Sequence, residues 1–183
     1  NSQLEGKTAN DGSGNWTKYA AFLDGLGVYN FPKNGYAWCD MFVDWCYITT
    51  FGLSVAMKMT NQPMGGYGAG CTQSAGYYRA VGRFHKSNPQ PGDQIFFTND
   101  GGKSMYHTGL VEKADGSKVY TIEGNTSDKV ARRSYYLNDS YIVGYGRPAS
   151  DTAPGNANAY YQTPNGGTTS EVIYTVVAGD TLS

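Results

Sequence analysis

The sequence predicts an α+β domain in which N-terminal helices pack on an antiparallel sheet of about five strands. Two observations carry this. Before Pro91-Gly92 apolar residues recur at helical spacing, and after it they alternate. The alternating segments are separated by turn residues and follow the helices instead of interleaving with them, which favours hairpins over parallel crossovers.

Residues 1–15 (NSQLEGKTANDGSGN) are polar and glycine-rich and read as a loop. In NWTKYAAFLDGLG, Tyr19, Phe22 and Leu23 mark a helix that Gly25 and Gly27 stop. The next helix starts near Cys39 and ends near Phe51-Gly52. Cys39, Phe42, Val43 and Cys46 form one stripe, and Met41, Trp45 and Ile48 cover much of the other side. A helix apolar nearly all round belongs at the centre of a fold. TQSAGYYRAVG (72–82) gives a third, weaker helix. QIFFT, YHTGLVEK, KVYTIEG, ARRSYYL and SYIVGYG read as strands. Residues 1–149 are therefore expected to form the main domain. Residues 150–171 have linker composition, and VIYTVVAGDTLS in 172–183 reads as the start of a second module.

With 39% hydrophobic residues the chain can build a core, while its 16% of charged residues falls below the about 25% usual for soluble domains. The 16 tyrosines and 25 glycines describe a polar, uncharged, aromatic surface, common in secreted bacterial proteins. A net charge of -1 argues against nucleic acid as a partner, and no apolar stretch reaches a membrane span of about 18 residues. A chain that opens on Asn1 is expected to be a processed or trimmed product.

The candidate chemistry centres on WCDMFVDWCY (38–47). A helix N-terminus offers unpaired N–H groups and about half a positive charge. It therefore favours the thiolate of a cysteine placed there, and the same N–H groups can hold an oxyanion. Cys39 occupies that position. Cys39 and Cys46 would lie about 10 Å apart along one helix, too far for a bond, so any disulfide must involve Cys71. A thiolate nucleophile needs a base, and only two histidines exist. His107 lies in a strand and shares a face with Gly109 and Val111, expected to be the face a helix covers. Gly109 leaves room beside the ring. His85, in GRFHKSNPQP, reads as a solvated surface residue. The next strand ends in IEGN, and a glutamate in a strand is costly to bury without a partner. Glu123 is thus a candidate to orient His107, with Asn125 on the same face.

The order Cys, His, Glu, Asn, with WCDMFVDW, PGDQIFF, HTGLVEK, IEGNTS and a closing GYGRP, resembles the CHAP domain, the cysteine, histidine-dependent amidohydrolase/peptidase family. The resemblance spans about Trp16 to Pro148. It implies a papain-like fold and a secreted, wall-associated, bacteriolytic hydrolase of peptidoglycan, of endolysin or autolysin type. The bond would be an amide of the stem or bridge peptide, or the muramoyl-L-alanine bond. It implies Cys39 as nucleophile, His107 as base, Glu123 as orienter and Asn125 as a supporting polar group. YTVVAGDTLS resembles the opening of a LysM glycan-binding module. Trp38 is expected to wall the groove, with Tyr106 and also Tyr67, Tyr77 and Tyr78 meeting substrate. No cofactor and no metal is expected, since the histidines and cysteines lack ligand spacing. NDGSGN (10–15) has a calcium-loop flavour but lacks the downstream glutamate. The expected state is a monomer whose partner is bacterial peptidoglycan. The competing readings are a non-catalytic wall-glycan binder and a glycosidase built on Glu123.

The hairpin LVEKADGSKVY decides whether His107 and Glu123 can meet. A three-residue loop, Ala114-Asp115-Gly116, would pair Lys113 with Ser117 and set His107 directly opposite Glu123. Leu110 and Tyr120 would then point outward together.

Overall fold

The computed structural model describes residues 14–30, 32–66 and 68–150. The opening loop as far as residue 13, Tyr67, and the linker and terminal segment from 151 onward lie outside the described residues. The chain folds as α+β, with helices packed on one antiparallel sheet.

Helix α1 (Lys18–Leu26) begins where the Thr17 side chain accepts a bond from Ala20 N. It runs through Gly25 and stops at Gly27, whose φ of 64° is left-handed. α2 (Cys39–Phe51) has the predicted bounds and buries eight residues spread round its circumference. α3 (Leu53–Thr60) was not anticipated, because eight residues are too few for a helical period to stand out. α4 (Cys71–Ala80) matches the third helix. The strands are β1 (Phe84–His85), β2 (Gln94–Phe97), β3 (His107–Ala114), β4 (Lys118–Glu123), β5 (Ala131–Tyr136) and β6 (Ile142–Gly146), in sheet order β1-β6-β2-β3-β4-β5. The extra strand is the two-residue β1, which pairs His85 with Tyr145.

The β3–β4 hairpin departs from the expected register. Asp115 N–H donates to the Lys118 carbonyl, leaving Gly116-Ser117 as the tip, and the Asp115 carboxylate accepts from the Ser117 and Lys118 amides. The side chain that looked like a turn residue closes the loop as an Asx-type cap. A bulge then absorbs Glu112 between Val111 and Lys113. Beyond it Leu110 pairs with Ile122 and Val111 with Thr121. Continued one step, Gly109 opposes Glu123, and His107 stands diagonal to that carboxylate. The shift from the expected pairing is two residues, so side-chain parity survives and His107 and Glu123 keep a common face.

That face is not the one the helices cover. Leu110 and Ile122 pack against the helix cluster of Leu23, Trp38, Phe42, Val43 and Tyr47. Val111 and Val119 form a separate cluster with Ile95, Phe97 and Tyr145. The sheet is apolar on both faces, so Val111 is buried, its neighbour Leu110 is half-buried on the opposite face, and alternation alone could not assign sides. Gly124 lies under α2, where a side-chain carbon would strike Phe42 and Trp38. Its lack of one lets the helix settle on the end of the sheet.

Candidate active site

The tip of α2 carries Cys39 as its first residue. The N-cap Trp38 makes no side-chain capping bond. The Asp40 N–H points instead at the Cys39 sulfur. Cys71, the first residue of α4, brings its sulfur to 3.5 Å from that of Cys39. The Cys71 hydrogen bond acts most strongly on Cys39. With the bond and charge of His107, and against the opposing effect of burial, it holds the thiol well below its ordinary range.

His107 stands at the first position of β3, its ring tilted against Phe97. Nε2 lies 2.7 Å from Glu123 Oε2, leaving Nδ1 for the bond to Cys39. Burial alone would lower the imidazole pKa. The bonds to Cys39 and Glu123, with their charges, outweigh it and push His107 up to about 9. Glu123 is 0% exposed and accepts from Thr121 Oγ1 at 2.5 Å and Tyr135 OH at 3.2 Å. Every donor in this set fixes the carboxylate, and the carboxylate fixes the imidazole. Gly109 makes the arrangement possible, since a Cβ there would lie 2.5 Å from Glu123 Cγ. The room it leaves is filled by the carboxylate rather than by the imidazole.

A second buried group holds the helix tip. Asp40 accepts from Ser74 Oγ of α4 at 2.8 Å and from Gln94 Nε2 of β2 at 2.9 Å. Gln94 Nε2 also reaches Thr108 Oγ1 at 3.1 Å, and that hydroxyl donates to the Ile95 carbonyl. α2, α4 and the sheet are thus tied together beside the sulfur. Burial, then the Asp44 and Cys39 charges, raise the Asp40 carboxyl well above its ordinary range. Sequence reasoning missed Asp40, Gln94, Ser74, Thr121 and Tyr135. The available signal was an aspartate in the first turn of an otherwise apolar helix.

The other expected site residues sort clearly. Trp38 is 0% exposed and stacks on Tyr19, so it presents no surface to a ligand and backs the helix from the core. Tyr78 is equally buried and lines no groove. Tyr106 is 52% exposed and its ring stacks 6.2 Å from that of His107. Asn125 is half-buried with a left-handed φ of 56°, and among the described residues its side chain bonds neither His107 nor Glu123. The left-handed turn breaks the alternation that was to bring it to their face. His85 is half-buried on β1. Cys46 is a desolvated thiol whose pKa burial pushes up to about 12. Among the described residues no group of three or more His, Cys, Asp or Glu side chains is placed to hold a metal ion.

A family model for the CHAP domain matches residues 31–125. Among solved structures, the crystal structure of Ly7917 matches with a TM-score of 0.44 and 19% identity, over 68% of this chain and 56% of that one. Ly7917 with the hydrolyzing product of MDP matches with a TM-score of 0.42 and 21% identity, over 68% and 57%. The chain therefore spans little more than half the length of either. No curated protein matches.

Proposed function

The chain belongs to the CHAP domain family, hence to the amidohydrolases and peptidases, and from that premise we propose that it cleaves an amide bond of bacterial peptidoglycan with Cys39 as nucleophile. The observation that carries the reading is the Cys39–His107–Glu123 chain at the uncapped tip of α2. The Cys39 thiolate attacks the amide carbonyl carbon, and backbone N–H groups at the helix tip take the developing oxyanion. The His107 imidazolium gives its Nδ1 proton to the leaving nitrogen, and the amine departs. A water then gives a proton to His107 and its oxygen to the acyl carbon. The C–S bond breaks, and the carboxylic acid leaves with Cys39 again a thiolate. Tyr106, exposed beside His107, offers a ring against which a sugar or peptide can stack.

Glu123 is poorly suited to a glycosidase, because its buried oxygens are already engaged by three donors. The same reading makes residues 1–149 the catalytic unit, secreted to the wall as a monomer. Residues 150–171 form its linker, and the LysM-like segment begins at 172. Digesting purified walls and measuring the fragments by mass spectrometry tests it. New amino groups at a stem, bridge or muramoyl amide are expected, and new reducing sugar ends alone would overturn it.

The protonation states predict the pH dependence. The depressed Cys39 pKa favours the thiolate, and the His107 pKa, raised to about 9, keeps the imidazolium through neutrality. As pH rises through about 9, His107 loses the proton the leaving group needs. The kcat/KM profile should therefore hold a plateau through neutrality and fall above pH about 9.

Since activation comes from His107 and a helix end, excess EDTA should leave wall lysis near its untreated rate. A loss that calcium restores would contradict this.

A further inference from the structure

The hydrolytic cycle uses one sulfur, yet two meet at its centre. Cys39 and Cys71 are both free thiols, 4% and 7% exposed, with their sulfurs in contact at 3.5 Å. Each opens a helix, of 13 and 10 residues, and neither N-cap places a side chain on the terminal amides. Two helix N-termini therefore converge on the pair. Their approach is fixed from outside by the Ser74–Asp40 bond, which joins α4 to α2, and by Gln94 holding the same carboxylate from the sheet. Phe96, Ala75, Tyr78 and Met105 pack around the sulfurs. Closing to disulfide length requires the sulfurs to approach by about 1.5 Å, within reach of small side-chain rotations.

We propose that Cys39 and Cys71 form an oxidation site: hydroperoxides convert the pair to a disulfide that protects the Cys39 sulfur from further oxidation and silences hydrolysis until a thiol reductant reopens it. In the first step the Cys39 thiolate attacks one oxygen of hydrogen peroxide. The O–O bond breaks, Cys39 becomes a sulfenic acid, and the hydroxide released takes a proton to leave as water. In the second step the Cys71 sulfur attacks the Cys39 sulfur. The S–OH bond breaks, and the hydroxide leaves with the Cys71 proton as a second water. Two thiols are oxidised and one peroxide is reduced. The favoured thiolate at Cys39 supports its role as the attacking sulfur, and the raised Cys71 pKa supports its role as the waiting partner. Cys46, desolvated within the helix cluster, takes no part.

The silencing rests on Cys39 being the nucleophile, whereas the oxidation itself does not, so the experiment reads them separately. Full-length protein is treated with hydrogen peroxide, digested without reductant and analysed by mass spectrometry. Wild-type protein should lose two hydrogens and yield a cross-linked peptide holding Cys39 and Cys71. Cys71→Ser should give no cross-link. Its Cys39 should gain oxygen and be captured by a cyclic 1,3-dione that traps sulfenic acids. Wall hydrolysis by the wild type should vanish on oxidation and return fully with dithiothreitol, while prolonged peroxide should inactivate Cys71→Ser beyond rescue. Wild-type Cys39 gaining oxygen while Cys71 remains a free thiol would overturn the proposal. Cross-linking with hydrolysis intact would uphold the oxidation site and overturn Cys39 as the nucleophile.

Discussion

Replacing Cys39 with alanine is expected to remove wall hydrolysis altogether, a fall of about 10^6 in kcat on the scale seen when a nucleophile or its base is deleted from a catalytic unit. His107→Ala should fall as far, and the double variant no further, because either change breaks the same relay. Cys39 sits among Cys71, Ala75 and Phe96, so truncating it removes about one methyl-sized group of packing, ~1 kcal/mol. That is a Tm shift of about 2–4 °C for a chain of this size, and the fold survives it. His85→Ala is the matched control. It lies on the short β1 strand, and its activity should remain near wild type. Turbidity loss of purified walls is the readout. Lysis by Cys39→Ala at the wild-type rate would end the cysteine mechanism.

Cys39 stood out in the sequence as a candidate nucleophile because two independent patterns coincide there. The apolar period of α2 begins at Cys39, and no capping side chain precedes it. The His107–Glu123 relation was visible in outline, since a glutamate in a strand demands a partner. Its register was not visible, because a bulge at Glu112 cancels part of what the Asp115 turn sets, and a bulge leaves no mark in the alternation of an exposed strand end. The side of the sheet was hidden for a different reason. Leu110 and Val111 are neighbours and both are wanted inside, one by the helices and one by the second cluster. Ser74 was silent, and Cys71 was visible only as the necessary member of any disulfide, because their place beside Cys39 and Asp40 lies wholly in tertiary packing. Nothing in GAGCTQSAG says that this helix will begin against the start of another one 32 residues earlier in the chain. Trp38 misled through its position. A tryptophan next to a nucleophile suggests a groove wall, but its large ring completes the core behind α2.

Glu123→Gln should lower kcat by about 10^3 to 10^4, the range for a buried carboxylate that orients a catalytic imidazole. The carboxylate offers two acceptor oxygens to three donors, from His107, Thr121 and Tyr135. An amide of the same shape offers one oxygen and an NH2 group that must then face a donor. The imidazole loses its fixed tautomer, and its protonated form loses both a hydrogen bond and a compensating charge. A merely structural defect would leave the pH profile in place, whereas this one moves it. With the Glu123 contributions gone, the His107 pKa falls from about 9 and the alkaline limb of kcat/KM shifts to lower pH. Gly109→Ala tests the same contact from the opposing strand. Its new Cβ would come within 2.5 Å of Glu123 Cγ and push the carboxylate off the imidazole. The shift of the alkaline limb should therefore appear in both variants, although His107 itself is unchanged in each. A Glu123→Gln enzyme with wild-type kcat and an unmoved alkaline limb would remove Glu123 from the mechanism and leave the imidazole oriented by β3 alone.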